Sequence, residues 1–285
     1  MIQSTVSTQC REPAALEGLG QRTLIMGILN VTPDSFSDGG RFFDAGKAVE
    51  HAREMIAAGA DIIDIGAEST RPGHALVDGR EEWRRLAPVL RRLRSEFSCP
   101  LSVDTYKPDV ARRALDFGAD MINDVWGGAR DPAMWETVAK SRALYVLMHN
   151  STGRDDWPPG DRVARRVRDE LLDLAGRAIA AGVRPEAIIL DPGVGFGKTQ
   201  AQNLELINRA DVYGATGHPI LIGTSRKSVI GQALGVPVEE RLEGTAATIA
   251  IAIARGVDIV RVHDVAEMAS ICRMTDALVR SAADQ

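Results

Sequence analysis

Two short apolar segments near the end of the chain are followed by side chains that can hold an anion. Residues 220–227 read ILIGTSRK and residues 259–264 read IVRVHD. Neither run is long enough for an ordinary helix, and a buried parallel strand typically ends in this way where it delivers side chains into a site. Arginine can hold phosphate oxygens through paired hydrogen bonds, while lysine offers a point charge. The anion-binding candidates are therefore Ser225, Arg226, Lys227, Arg261 and His263.

Polar side chains close other apolar runs as well. Asp104 and Asp191 end the runs that we assign to the third and sixth strands, and Asn123 lies in the second half of the fourth. A buried polar group without a partner costs about 1–3 kcal/mol, so something must satisfy them. Two carboxylates and an amide can accept hydrogen bonds from a guanidine-like ring edge and donate to a ring nitrogen or carbonyl. Each residue alone could equally be satisfied within the fold, but their position at the same end of successive strands favours a ligand site.

A repeating strand–helix pattern must position these residues. Eight apolar runs occur in order, and stretches with helical period, such as AGKAVEHAREMIAAGA, lie between most of them. The pattern predicts a single (β/α)₈ TIM barrel, whose active site lies at the carboxyl ends of the strands. A doubly wound open sheet is the competing architecture, but it usually has fewer strands and a glycine fingerprint after the first one, which is absent here. The runs are residues 24–30, 61–66, 101–104, 121–125, 143–149, 187–191, 220–225 and 259–264.

The pattern also sets the expected domain boundary and a metal site. No linker divides the chain, so we place one barrel domain at residues 23–285 after an N-terminal extension at residues 1–22.

In a closed barrel Asn30, at the end of the first strand, lies beside the eighth strand. Its amide oxygen could bind a Mg²⁺ ion held mainly by a substrate's phosphates. His149, which ends the fifth run, could be either a structural hydrogen-bonding group or part of the site.

Two long loops and one apolar helix complete the expected architecture. The loops VTPDSFSDGGRFF and AESTRPGHALVDG follow the first two strands, and long barrel loops commonly act as lids. We predict that both are mobile and cover the mouth of the barrel. The segment GTAATIAIAIA at residues 244–254 is apolar nearly all round, so we predict a helix that a subunit interface covers.

The composition excludes several classes of partner. The 285 residues are 45% hydrophobic and carry a net charge of −5, and no basic stretch alternates with aromatic residues, so neither nucleic acid nor an anionic membrane is an expected partner. The three cysteines are widely spaced, which argues against a disulfide framework or a structural zinc site. No apolar run approaches the length of a membrane span. A cytoplasmic protein with small-molecule partners is expected.

The motifs resemble those of the dihydropteroate synthase family. The strings MGILNVTPDSFSDGG, DIGAESTRPG, LSVDTYKPDVARRAL, MINDVWGG, ILDPGVGFGKTQAQNLELI, ILIGTSRKSVIG and RLEGTAATIAIAIARG match in order and spacing from about residue 23 onward. The resemblance implies a TIM barrel, usually a homodimer, that is a target of sulfonamides. It also implies the condensation of 6-hydroxymethyl-7,8-dihydropterin diphosphate with 4-aminobenzoate to 7,8-dihydropteroate and diphosphate.

The resemblance further implies a role for each candidate residue. Asp104, Asn123, Asp191 and Lys227 would hold the pterin, in a pocket lined by Met148, Gly195 and Phe196. Asn30, Arg261 and His263 would bind the diphosphate with its Mg²⁺. The aminobenzoate side would consist of Phe36, Thr70, Arg71, Pro72, Ser225 and Arg226. The residues expected to act in catalysis are Asp104, Asp191, Lys227 and Arg261.

Two other functions are compatible with part of the pattern. A pterin-binding methyltransferase that works with a corrinoid protein would share the Asp/Asn/Asp set but would not need the SRK and RVH strings. A degenerate pterin-binding paralogue would be expected to lack Asp104, Lys227 or Arg261, and all three are present. The sequence therefore favours the synthase.

Overall fold

Eight short and largely buried segments form the strands of the computed structural model, which describes residues 16–32, 45–68, 76–154, 157 and 162–280. They are β1 (Leu24–Asn30), β2 (Ile62–Gly66), β3 (Leu101–Asp104), β4 (Met121–Asp124), β5 (Leu144–Met148), β6 (Ile188–Asp191), β7 (Leu221–Ile222) and β8 (Ile259–Val262). The strands are parallel and follow the order β6-β5-β4-β3-β2-β1-β8-β7. Among the described residues, one isolated parallel bridge from Leu190 to Ile220 joins the two edges. The predicted TIM barrel is confirmed.

Helices connect the strands and cover the outside of the barrel. They are α1 (Ala45–Ala57), α2 (Gly79–Glu96), α3 (Pro108–Asp116), α4 (Ala133–Ala139), α5 (Val163–Ala180), α6 (Gln200–Asn208), α7 (Asp211–Gly214), α8 (Ser228–Leu234), α9 (Leu242–Ala254) and α10 (Val265–Val279). In α5 the buried residues Val163, Val167, Leu171 and Ala178 recur at helical spacing, which gives one face toward the strands. No helix within the described part of the chain is long and apolar enough to cross a membrane.

Glycine ends several of these helices just before the next strand begins. Gly59, Gly118, Gly182 and Gly256 have φ values of 108°, 94°, 100° and 90°, a region that other residues rarely adopt. The recurring Gly-Ala-Asp and Gly-Val-Asp motifs predict this ending. The glycines therefore serve the architecture and are not part of the site.

Alternation along the strands separates an inner core from an outer one. Side chains such as Ile25, Ile63 and Ile122 point outward and pack against the helices. The inner cluster comes from the beginnings of the strands and consists of Leu24, Met26, Ile62, Met121, Val146, Ile189, Leu221 and Ile259. Burial of each such side chain contributes about 1.5–3 kcal/mol. Because this cluster closes the amino end of the barrel, the interior that remains for polar groups lies at the carboxyl end.

The seventh strand is shorter than the sequence predicts. Residues 220–225 were expected to be a strand, but regular pairing ends at Ile222. The Thr224 hydroxyl hydrogen-bonds to that of Thr248 at 2.8 Å, and the Lys227 amide donates to the Thr224 carbonyl at 3.1 Å. Arg226 then adopts a φ of 57°. These local interactions turn the chain out of the sheet, so Ser225 and Lys227 lie on a turn above the strand.

Candidate active site

One level of the barrel aligns the predicted polar residues of the first four strands. Asn30 pairs in register with Gly66, Gly66 with Asp104, and Asp104 with Asn123. A Cβ atom on Gly66 would lie 3.5 Å from the Asp104 Cβ and 3.8 Å from the Asn30 Oδ1. The glycine therefore leaves space between the Asn30 amide and the Asp104 carboxylate at the mouth of the barrel.

A buried ion-pair network lies just below this level. Arg261 Nε donates to Asp64 Oδ2 at 2.6 Å, and Arg261 Nη2 donates to Asp104 Oδ2 at 2.8 Å. Asn123 Nδ2 donates to the same Asp64 Oδ2 at 3.0 Å. Asn123 therefore keeps its carbonyl oxygen as an acceptor, and Arg261 keeps its remaining N–H groups for an anion.

Asp64 is the residue of this network that the sequence analysis missed. Its side chain is 0% exposed, and its Oδ1 has no hydrogen-bond partner among the described residues. The available signal was a carboxylate within the apolar run DIIDIG, two positions before Gly66, because alternate residues of a strand point to the same side. Asp64 thus belongs inside the barrel with the predicted site residues.

The pterin-pocket candidates of the second half of the barrel also lie together. Met148 and Asp191 are register partners at the ends of β5 and β6. Lys227 Nζ donates to the Val194 carbonyl and lies 4.7 Å from the centroid of the Phe196 ring. A Cβ atom on Gly195 would lie 3.3 Å from the Lys227 Cδ. The loop after β6 therefore places Gly195 and Phe196 against Lys227.

Burial and neighbouring charges shift the pKa values of three of these groups. Burial raises the pKa of Asp104 to about 7, against the opposing effect of Arg261. Burial lowers the pKa of Lys227 to about 8, although the charge of Asp191 opposes this shift. The pKa of Asp191 is itself raised by burial and is held down in part by Lys227. The site thus combines weakly solvated carboxylates with cations, an arrangement that is frequent at functional sites.

The remaining candidates at the ends of β7 and β8 form two pairs. Ser225 Oγ lies 3.0 Å from His263 Nδ1 and also accepts a hydrogen bond of 3.1 Å from the His263 backbone amide. Arg226 Nε donates to Asp264 Oδ2 at 2.9 Å, which holds this half-exposed side chain beside the eighth strand. Ser225 and His263 therefore lie side by side.

His149 has the structural role that the sequence left open. Its Nε2 lies 2.8 Å from Glu170 Oε2 on α5, and Arg154 and Arg166 also contact this carboxylate. These contacts lower the pKa of Glu170 well below its usual range. The His149 side chain thus fastens α5 to the end of β5 and does not join the Asp104–Arg261 network.

Some predictions concern residues outside the described part of the chain. Phe36, Thr70, Arg71 and Pro72 lie in the undescribed parts of the two loops, so their placement stays a prediction. The described flanks of the second loop are tied together, because the Val77 amide donates to Glu68 Oε1 at 3.1 Å.

The metal prediction can be compared with the groups available near the mouth. Among the described residues no cluster of three or more His, Cys, Asp or Glu side chains could hold a metal ion. The Asn30 amide oxygen, beside the space left by Gly66, is a suitable single ligand for a Mg²⁺ ion that keeps most of its water. The donor set fits an ion that arrives with a phosphate-bearing substrate.

Comparison with known proteins agrees with this geometry. A model of the family described as "Pterin binding enzyme" matches residues 26–263. The dihydropteroate synthase of Clostridium beijerinckii is 50% identical over 263 residues, which cover 92% of this chain and 96% of that protein. The dihydropteroate synthase of Clostridium difficile, solved with pteroic acid, has a TM-score of 0.87 at 50% identity and covers 92% of this chain and 98% of its own. The Xanthomonas albilineans enzyme with 4-aminobenzoic acid has a TM-score of 0.84 at 42% identity, with 90% and 93% of the two chains covered. The chain therefore belongs to the pterin-binding enzyme family and, within it, to the dihydropteroate synthases.

Proposed function

We propose that this chain condenses 6-hydroxymethyl-7,8-dihydropterin diphosphate with 4-aminobenzoate, yielding 7,8-dihydropteroate and diphosphate. The observation that carries this proposal is the network at the mouth of the barrel in which Arg261 donates to Asp64 and Asp104, and Asn123 donates to Asp64. Acceptor groups for a planar, N–H-rich ring thus lie beside a cation that can bind an anion. Solved relatives that contain pteroic acid or 4-aminobenzoic acid support the same substrates.

In the proposed reaction the pterin is held by groups on opposite sides of the mouth. Asp104, Asn123 and Asp191 accept hydrogen bonds from the ring, while Phe196, Gly195 and Met148 line its faces. The C–O bond to the diphosphate breaks and its electron pair leaves with the diphosphate. Positive charge then develops on the pterin, and the two carboxylates stabilise it.

The new C–N bond forms when the aniline nitrogen of 4-aminobenzoate donates its lone pair to the methylene carbon of the pterin. The nitrogen then loses a proton to solvent. Because a neutral aniline is already a nucleophile, the residues need only orient it and exclude water. We assign Ser225 and Arg226, together with Phe36, Thr70, Arg71 and Pro72, to the aminobenzoate side.

The leaving group is assigned to Arg261 and His263, at and just after the end of β8. Asp64 and Asp104 anchor Arg261 through Nε and Nη2, so its remaining N–H groups and His263 are assigned to the diphosphate. Asn30 would hold a Mg²⁺ ion, which would neutralise charge on the departing diphosphate when bound. Lys227 adds a positively charged side chain on the pterin side of the site.

The test is diphosphate release by the purified chain with dihydropterin diphosphate and Mg²⁺, with and without 4-aminobenzoate. We expect release that depends on 4-aminobenzoate and yields dihydropteroate, and we expect Lys227→Ala to impair it through weaker pterin binding. Pterin binding without diphosphate release would contradict the synthase and favour the degenerate paralogue or the corrinoid-dependent methyltransferase. Methyl transfer to a corrinoid would then separate those two.

We also propose that two copies of the chain form a homodimer through α8, α9 and α10. About half of the exposed large hydrophobic side chains among the described residues lie on these helices. They are Leu234, Ile251, Met274, Leu278 and Val279, on helices that pack against one another, and exposed apolar surface of this kind often marks a protein–protein interface. A cytoplasmic setting is proposed as well, in which Cys99 and Cys272, both free, remain thiols.

A further inference from the structure

The loop between β6 and α6 is folded around a single ammonium group. Lys198 Nζ donates to the carbonyl oxygens of Gly193 at 2.9 Å, Phe196 at 3.1 Å and His149 at 3.3 Å. Two of these carbonyls belong to the loop and the third ends β5. An ammonium has three N–H donors, one for each carbonyl, so the arrangement matches the protonated side chain.

Two glycines allow the loop to pack closely against the end of β5. Gly193 and Gly197 both have a φ of 69°. A Cβ atom on Gly193 would lie 2.0 Å from the His149 carbonyl oxygen, and one on Gly197 would lie 2.2 Å from the Ser151 carbonyl carbon. The loop backbone is therefore in direct contact with the end of β5. Without a cation between them, the converging carbonyl dipoles would repel one another.

A second side chain holds the outer side of the same loop. Asn203 on α6 accepts a hydrogen bond of 2.7 Å from the Gly195 amide and donates one of 3.1 Å to the Lys198 carbonyl. The Ser151 hydroxyl donates to the Phe196 carbonyl at 3.0 Å. These hydrogen bonds fix the segment of the loop that contains Gly195 and Phe196, which lie against Lys227.

We propose that Lys198 is a positioning residue for pterin binding, and that its ammonium occupies a carbonyl cage that a small monovalent cation could fill in its place. No role is otherwise assigned to this side chain. The consequence for the pterin rests on the proposed function, whereas the cage itself does not. Burial lowers the pKa of Lys198 to about 7 and the charge of Asp191 opposes this, in keeping with an ammonium that is largely shielded from water.

The proposal predicts rescue of a truncated variant by an exogenous cation. In Lys198→Ala the KM for dihydropterin diphosphate should rise about tenfold or more, since hydrogen bonds to a charged donor are lost, while the KM for 4-aminobenzoate changes much less. Methylammonium or ammonium chloride should restore the pterin KM. Lys198→Met should show the same defect without rescue, because its side chain fills the space. Lys140→Ala, on the exposed surface after α4, is the control for salt effects.

The outcomes are distinct. A wild-type pterin KM in both Lys198 variants, or equal restoration of Lys198→Met and Lys198→Ala by methylammonium, would overturn the proposal. If Lys198→Ala does not fold, Lys198→Met, which preserves the side-chain volume, still tests the proposal through its pterin KM. Thermal unfolding provides a readout that is independent of catalysis. Methylammonium should raise the midpoint of Lys198→Ala but not that of the wild type, even if the chain proved inactive as a synthase.

Discussion

The orientation of single side chains in the site depends on Asp64, whose carboxylate is fully buried. Asp64 accepts hydrogen bonds from both Arg261 and Asn123, so it determines which atoms of those two residues remain available. A buried arginine without its carboxylate is costly, since burial of an unpaired charge carries a large desolvation penalty. Asp64 therefore acts on substrate binding through its neighbours.

This role gives a prediction for Asp64→Asn. The amide removes the negative charge opposite Arg261 Nε and can turn a donor toward it, so we expect kcat/KM for dihydropterin diphosphate to fall roughly 10- to 100-fold. Steady-state kinetics with both substrates measure the change. Asp109→Asn on α3, where the carboxylate is 88% exposed, is the matched control. Unchanged kinetics for Asp64→Asn would show that Arg261 is oriented by Asp104 alone.

The pKa values of Asp104 and Lys227 predict a narrow pH optimum. Asp104, with a pKa raised to about 7, must be ionised to stabilise the cation, so activity should fall as the pH drops through 7. Lys227 and Lys198, whose pKa values burial lowers to about 8 and about 7, must be protonated for pterin binding, so activity should fall as the pH rises through 7 to 8. The kcat/KM profile for the pterin, which reports the free enzyme, should be bell-shaped between these values. A flat profile across both values would contradict these roles.

Among single residues, those near the ends of strands could be predicted best from the sequence. Asp104, Asn123 and Asp191 could be placed because the carboxyl ends of barrel strands always meet. Alternation along the strand could have placed Asp64 inside the barrel, but one charged residue inside an apolar run does not identify its partners. Lys198 was also missed, since three backbone carbonyls that converge on a side chain leave no trace in residue types.

Among the elements, the loop after β6 depends on glycines that pack against the end of β5. We expect Gly193→Ala to raise the KM for the pterin and to destabilise the protein, because the new Cβ would lie 2.0 Å from the His149 carbonyl oxygen. Gly217→Ala is a matched control, because the φ of Gly217 is 78°, close to the 69° of Gly193, whereas no atom lies within 4 Å of the Cβ position of Gly217. The comparison separates steric contact from the cost of a left-handed backbone, which is about 1 kcal/mol. Equal effects in the two variants would exclude the contact as the cause.

The elements themselves were largely predictable, with exceptions that have local causes. Apolar runs and glycine-ended helices located all eight strands. The early end of β7 was not predicted, because ILIGTS is largely apolar and the contact between Thr224 and Thr248, which helps to turn the chain, is not visible in the sequence. Such a contact joins residues on separate elements, and periodicity cannot reveal it.

For the whole molecule, the exposed apolar side chains of α9 and α10 predict the oligomeric state. Ile251 is 48% exposed, and we expect Ile251→Glu to convert the proposed homodimer to monomers because a charge would be buried at the interface. Sedimentation velocity measures the state. Leu172→Glu, at a 39% exposed position on α5, should leave it unchanged. A wild-type chain that sediments as a monomer at micromolar concentration would contradict the interface.

The closure of the barrel has a consequence for its motions. The edges β6 and β7 meet at the isolated bridge between Leu190 and Ile220, and the Leu190 amide donates to the Pro219 carbonyl at 2.9 Å. Asp191 follows on one edge and Lys227 on the other, so a pterin held by both would span this seam. Its binding should slow amide hydrogen exchange at Leu221 and Ile222, whereas β2, paired on both sides, should exchange at nearly the same rate. The substrate would then complete the barrel wall and restrain its opening while it reacts.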